Sequence, residues 1–397
     1  MNPVRIAARI KVPDGFTVIS DGVLAEQRRG PEHALFTLRS NSPGSLSIYL
    51  GIYAVETIKF MGVAVSAYLF PENAKRGAEC CHLMCEIHRF YRRLIGDYYP
   101  WTKLDLVQSE ERFGEWNARA LPSIIAVGGR RAFRNEVKDE VIAHEMAHFY
   151  RLPRSGTANL WLAESLPSYL ALAFHTRARP SHYVLWYLAR LHRSITRHKG
   201  GQLPSSIAEL SGKGAEDTSS FFYTVVHGKG VYVFHMLRSL LGKRRFWQLI
   251  RDFVARHMEE NVCYEDFVEM AERLFQGKLD WFFRQWIFER NVPRIRLHAI
   301  RTCRNHSAWK LRWRFTSEAS GAFHTLLAVE IKMLKGSARR LIRIGTQSNE
   351  IIMKLPSRPV SALLNADLSQ LVLFRKGPCS GLCARMSVRV PACSGQM

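Results

Sequence analysis

The sequence predicts an α+β protein laid out as strands, then a long and mostly helical middle, then strands again. Three observations predict it. Residues 1 to about 68 alternate apolar and polar between turn signals at PDG, SDG, RRGPE and SNSPGS. From Asn135 to about Gln276 the apolar positions recur at helical spacing almost without interruption. After Pro293 alternation returns, in runs such as WKLRWRF and HTLLAVEIKML.

Taken in order, the first 68 residues read as antiparallel strands. Residues 73–97 carry apolar positions at helical spacing and predict a long helix, and LDLV (104–107) and SIIAV (123–127) predict short strands of a small sheet. The middle predicts helices near 136–151, 159–177, 181–197, 219–242, 244–258, 264–275 and 279–289. Loops fall at Pro204 and around Gly200–Gly201 and Gly212–Gly214. Residues 292–376 read as a β-sandwich, and 377–397 as a Gly/Ser/Cys-rich tail. The expected domains are therefore 1–68, 69–291 and 292–376, followed by the tail.

A chain of 397 residues with 47% hydrophobic and 23% charged side chains is long enough for two or three compact units and is not disordered in composition. Its most apolar long window, Ile48 to Phe70, is interrupted by Glu56 and Lys59, so it predicts successive strands rather than a membrane span. The N-terminus lacks the apolar core and cleavage site of a signal peptide, and the expected location is cytoplasmic. Eight cysteines without a repeated Cys-x-x-Cys pair read as structural thiols in a reducing compartment. The formal net charge of +23 predicts affinity for an anionic partner, with a dense basic stretch from Arg294 to Arg343. No nucleic-acid-binding motif accompanies it.

The chemistry concentrates in HEMAHFYRLPRSGTANLWLAE, residues 144–164. His144 and His148 are four apart, so on a helix they project from one face a turn apart. That is the arrangement two imidazoles need to hold one Zn²⁺. Glu145 sits beside the first histidine, placed to reach a water rather than the ion. WLAESLPSYLALA predicts a second helix with Glu164 near its start, which closes a His₂Glu set and leaves a fourth position open.

This segment resembles the zinc-binding heart of the aminopeptidase N-like peptidases, a gluzincin family that includes the leukotriene-A hydrolases. Their pattern is His-Glu-x-x-His, about eighteen residues, then Glu within Trp-Leu-x-Glu-Gly. The resemblance continues collinearly. VPDGFTVISDG and SLSIYLGIYAVE are similar to the end of the family's N-terminal β-domain, and YPWTKLDLV to the strand before its substrate-anchoring motif. HGKGVYVFHMLRSLLG resembles its Tyr-x-Lys-Gly helix, and LDWFFRQWIFERNVPRIRL its Phe-Phe-x-x-Trp stretch. It implies a thermolysin-like, mostly helical zinc peptidase domain between an N-terminal β-domain remnant and a C-terminal β-sandwich. It further implies one zinc ion on His144, His148 and Glu164, Glu145 as general base, and hydrolysis of a peptide substrate through a zinc-activated water.

Three departures from the family pattern mark where this chain differs. Fifteen residues separate His148 from Glu164, the shortening falling in RLPRSGTAN. His227 stands where the family has the tyrosine that stabilises the oxyanion, with Tyr223 one turn earlier as a second donor. The Gly-x-Met-Glu-Asn stretch that holds a substrate's free amino terminus is replaced by FGEWNARALPSIIAVGG, in which Glu115 is the nearest carboxylate. The N-terminal β-domain is expected to be truncated. The competing expectation is a catalytically degenerate peptidase fold that uses its basic surface to bind nucleic acid, membrane or protein. Trp281, Phe282, Phe283 and Trp286 read as bundle core, His82 and His88 lack a partner acid at metal spacing, and His175, His182, His192 and His198 read as structural or exposed.

Overall fold

The computed structural model describes residues 5–41, 45–111, 113, 117–130, 132–133, 139–150, 160–179, 181–197, 201–211, 220–259, 263–305, 308–317, 324–345, 349–376 and 387–389. Contacts group the chain into two units. The first holds Met1–Leu152, Leu170–His175 and His257–Glu259, and the second holds Pro153–Tyr169, Thr176–Arg256 and Glu260–Met397.

In the first unit, strands Ala7–Pro13, His33–Arg39 and Val23–Arg29 form an antiparallel sheet with His33–Arg39 at its centre. The pair Thr17–Ser20 and Ile48–Gly51 forms a second. A five-stranded sheet runs in the order Ala54–Phe60, Val63–Leu69, Lys103–Ser109, Ile124–Gly128, Ala118–Leu121. Its three central strands are parallel neighbours. A parallel pair needs a crossover, and between Val63–Leu69 and Lys103–Ser109 that crossover contains the helix Gly77–Leu94. The helix buries Cys81, Met84, Cys85, Ile87, His88 and Tyr91 at helical spacing. Ile124–Gly128 is buried along its whole length, as a central strand covered on both faces must be. The window Ile48–Phe70 is thus three strands, and no described helix is long and apolar enough to cross a membrane.

The second unit is helical up to residue 288 and then changes to strands. Helices Ser181–Arg197 and Tyr264–Phe275 have the bounds that their periodicity predicts. Two four-stranded sheets follow, ordered Asn349–Leu355, Ala308–Ser317, Arg294–Asn305, Leu373–Lys376 and Ser337–Ile344, Thr325–Met333, Pro359–Leu364, Ser387–Arg389. Alternation is plain in Ala308–Ser317, where Leu311, Trp313 and Phe315 are buried between exposed Arg312 and Arg314. Cys80, Cys81 and Cys85 are free and buried, and Cys263 is free and exposed. Burial pushes the Cys80 and Cys81 thiols up to about 12, as suits packing rather than reactivity. Cys379, Cys383 and Cys393 lie outside the described residues.

Periodicity did not anticipate the wide π-helical turns that interrupt the helices at Trp161–Ser165, Tyr223–Gly230 and Arg284–Phe288. In the first, the Leu166 N–H donates to the Trp161 carbonyl, five residues back. Such turns are rare and cluster at functional positions, and two of these three carry site candidates.

Candidate active site

The histidine helix spans Asp139–His148. Ile142, Ala143, Met146 and Ala147 are buried, and the Tyr91 hydroxyl donates to the Ala143 carbonyl at 2.8 Å. With its backbone held on one side, the helix presents two imidazoles together. His144 Nε2 and His148 Nε2 are 3.3 Å apart, and the rings meet edge to face at 80°. His144 and Glu145 are 4% and 6% exposed, so both polar groups sit in surroundings that exclude bulk water. At the start of this helix Asp139 accepts a 2.8 Å hydrogen bond from His175 Nδ1, at the end of the helix Leu166–His175. The acid lies in a helix's first turn and the histidine in a helix's last, where each helix dipole favours that charge.

Glu164 lies in the π-helical turn Trp161–Ser165, which continues directly into Leu166–His175. This turn is clamped to the second π turn, Tyr223–Gly230. Trp161 Nε1 donates to the Gly230 carbonyl at 3.0 Å, and Ser165 Oγ donates to the Val226 carbonyl at 2.7 Å. The Trp161 ring stacks on Phe234 at 4.2 Å. The approach requires glycine at 230, because a Cβ there would stand 2.0 Å from Ser165 Oγ and 2.7 Å from Ser165 Cβ. The clamp sets the position of His227. Ser168 Oγ is 2.8 Å from His227 Nδ1 and 3.1 Å from the Glu164 carbonyl, to which it donates. The Tyr223 and His227 rings lie 4.7 Å apart at 37°.

One ligand atom from each of His144, His148 and Glu164 lies within 4.8 Å of the others. The donor set suits zinc, since two nitrogens about 2.0–2.1 Å from one tetrahedral ion stand about 3.3 Å apart, the separation found between the two histidines. Among the other candidates, Tyr223 is brought beside His227, whereas Glu115 and the connection 151–159 lie outside the described residues. His88 is buried and hydrogen-bonded to the Tyr150 hydroxyl at 2.9 Å, and His175 belongs to the pair with Asp139. His82 bonds the Ala78 carbonyl.

Two residues of these helices, one beside the His227 ring and one two positions along from it, are absent from the sequence-based expectations. Ser168 is one, and its signal is the i, i+4 spacing from Glu164. Lys229 is the other. It is fully buried, its Nζ donates to the Glu289 carbonyl, and burial pulls it down to about 7.

Comparison with known proteins gives consistent findings. The model of the peptidase family M1 domain matches residues 84–286, just over half of the chain. Aminopeptidase M1-C of Oryza sativa subsp. japonica is 21% identical over 303 residues, which cover 72% of this chain and 34% of the relative. Endoplasmic reticulum aminopeptidase 2 of Homo sapiens is 23% identical over 282 residues, 66% of this chain and 28% of its own. A mitochondrial aminopeptidase 2 of Saccharomyces cerevisiae is 21% identical over 245 residues, 57% and 25%. The chain thus spans about a quarter to a third of the length of these curated relatives. The crystal structure of Legionella pneumophila aminopeptidase A in complex with aspartic acid superposes with a TM-score of 0.76 at 16% identity. The match covers 94% of this chain and 45% of that one, and it shows the likeness of fold.

Proposed function

The chain belongs to peptidase family M1, and we propose that it is a zinc-dependent metallopeptidase in which His144, His148 and Glu164 hold one zinc ion. The observation that carries this reading is the 3.3 Å separation of the two Nε2 atoms, the spacing of two ligands on one tetrahedral zinc. When bound, zinc supplies Lewis acidity, which polarises a carbonyl and makes a water nucleophilic near neutral pH.

The rest of the chemistry falls to this chain's own side chains. Glu145, one position along from His144 and nearly closed off from solvent, takes a proton from the attacking water and delivers it to the leaving nitrogen. His227 donates to the oxyanion that develops on the carbonyl oxygen, a role worth about 3–4 kcal/mol, and Tyr223 is the neighbouring donor. Glu115 is the carboxylate offered to the ammonium of a free N-terminus, which makes the activity aminopeptidase-like. A free ammonium needs such a fixed acid once it leaves water.

Two measurements test this reading. Metal analysis is expected to find one zinc per wild-type chain and none in His144→Ala, His148→Ala or Glu164→Ala. Zinc retained in all three variants at wild-type stoichiometry would place the metal elsewhere. Hydrolysis of paired free and N-acetylated peptides tests Glu115. Equal rates on both remove the aminopeptidase character and leave the peptidase.

A further inference from the structure

The helix Ser181–Arg197 has two unlike faces. Its inner face buries Tyr187, Leu188, Leu191 and Ile195. Ile195 Cγ1 lies 3.5 Å from where a Cβ on Gly228 would stand, so this face rests on the π turn that carries His227. The outer face carries His182, Trp186, Arg190, Arg193 and Arg197, whose steps of four, four, three and four residues keep them in one stripe. Trp186 is 53% exposed and belongs to a ladder of rings and cations. The Arg179 guanidinium lies 4.5 Å from the Tyr183 ring centre, and the Tyr183 and Trp186 rings are 5.5 Å apart. Arg190 follows at 5.8 Å from Trp186 and 5.4 Å from Tyr187.

The charge on this face is of one sign. No aspartate or glutamate occurs from residue 165 to 208, whereas the arginines Arg177, Arg179, Arg190, Arg193 and Arg197 all fall in that span. Among the described residues no carboxylate forms an ion pair with Arg190, Arg193 or Arg197. We propose that the outer face of Ser181–Arg197 docks the chain on an anionic lipid bilayer. Several arginines on an amphipathic helix attract acidic headgroups, and Trp and Tyr rings settle at headgroup level with their polar edges wet. No described helix is long and apolar enough to cross a membrane, so the contact lies on the surface. Nucleic acid fits less well. Stacking a base needs an open ring face, and these rings already lean on one another and on arginines. Docking holds the His227 turn about 10 Å, one helix diameter, from the lipid. The proposal concerns this surface alone and does not depend on peptide hydrolysis.

Co-sedimentation of the full chain with lipid vesicles tests it. Binding is expected to phosphatidylcholine vesicles that contain phosphatidylserine and not to phosphatidylcholine alone, with release as salt rises from about 0.1 M to about 1 M. Arg190→Gln with Arg193→Gln is expected to weaken binding about twentyfold. Trp186→Ala is expected to weaken it about tenfold. Arg343→Gln with Lys354→Gln removes the same charge from exposed positions on the C-terminal sheets and is expected to leave binding unchanged. Thermal unfolding of each variant checks that the loss is not one of folding. No binding by the wild type, equal binding to both kinds of vesicle, or an equal loss from both double variants overturns the proposal. So does tighter binding to a single-stranded oligonucleotide that the Arg190 and Arg193 changes abolish.

Discussion

His144 and His227 sit in helices of different construction. The first lies in Asp139–His148, an ordinary α-helix whose backbone is held by the Tyr91 hydroxyl and whose two imidazoles follow from a four-residue spacing. The second lies in Tyr223–Gly230, a π-helical turn clamped by Trp161 and Ser165. The histidine helix keeps the His-Glu-x-x-His pattern, and the π turn carries one of the three departures, His227. The contrast teaches that the proposed metal ligands on this helix are specified by local periodicity, which sequence carries directly. His227, the proposed oxyanion donor, is instead placed by contacts between turns distant in sequence, which can change while the two histidines of the helix stay the same.

If the two regions divide the work in this way, changes in the π turn alter rate or stability while leaving zinc in place. The largest effect is expected from His227→Phe, with kcat lower by about 10²–10³ and metal content unchanged. Steady-state kinetics beside metal analysis checks it, and loss of zinc with the rate would break the division. Next is Gly230→Ala, which drives a Cβ into Ser165 and is expected to cost about 2–3 kcal/mol in urea unfolding. Ser165→Gly in the same chain is expected to recover part of that loss.

Lys229 sharpens the comparison through pH. Unfolded, it holds its proton up to about 10.5, whereas burial lowers it to about 7 in the folded chain. Between those values the unfolded state binds more protons, so the contribution of Lys229 to stability rises with pH from 7 toward 10.5. Below pH 7 both states are protonated and the cost of burying the charge is felt in full. Lys229→Met is expected to flatten the slope of unfolding free energy in that window, and an unchanged slope contradicts it. The smallest effect belongs to the first region. His175→Leu removes the hydrogen bond to Asp139 and is expected to cost about 1 kcal/mol with little change in kcat.

Much of the fold was legible because it rests on periodicity. The helices Ser181–Arg197 and Tyr264–Phe275, the three strands within Ile48–Phe70 and the alternation around Trp313 all follow from spacing that one segment contains. The π turns were not legible, since one extra residue in a helical turn leaves the apolar period of an 18-residue window almost unchanged. The ligand candidates were readable for the reason already given, namely that His144 and His148 meet within a single turn. Ser168 was not, because nothing in WLAESLPS says which side of that helix will face His227. His175 reads as one scattered histidine among several until the fold brings Asp139 to it across 36 residues of sequence. Lys229 looks like a surface cation until packing encloses it.

The central claim is that a zinc site on the histidine helix hydrolyses peptide bonds with Glu145 as its base. Glu145→Gln keeps the size of the side chain and removes its ability to take a proton, so it tests that claim directly. Wild type and variant, each analysed for zinc and then given the same mixed peptide library, are expected to carry one zinc per chain alike, with cleavage by the wild type alone. Equal zinc with equal cleavage, or zinc in both and cleavage by neither, would contradict it.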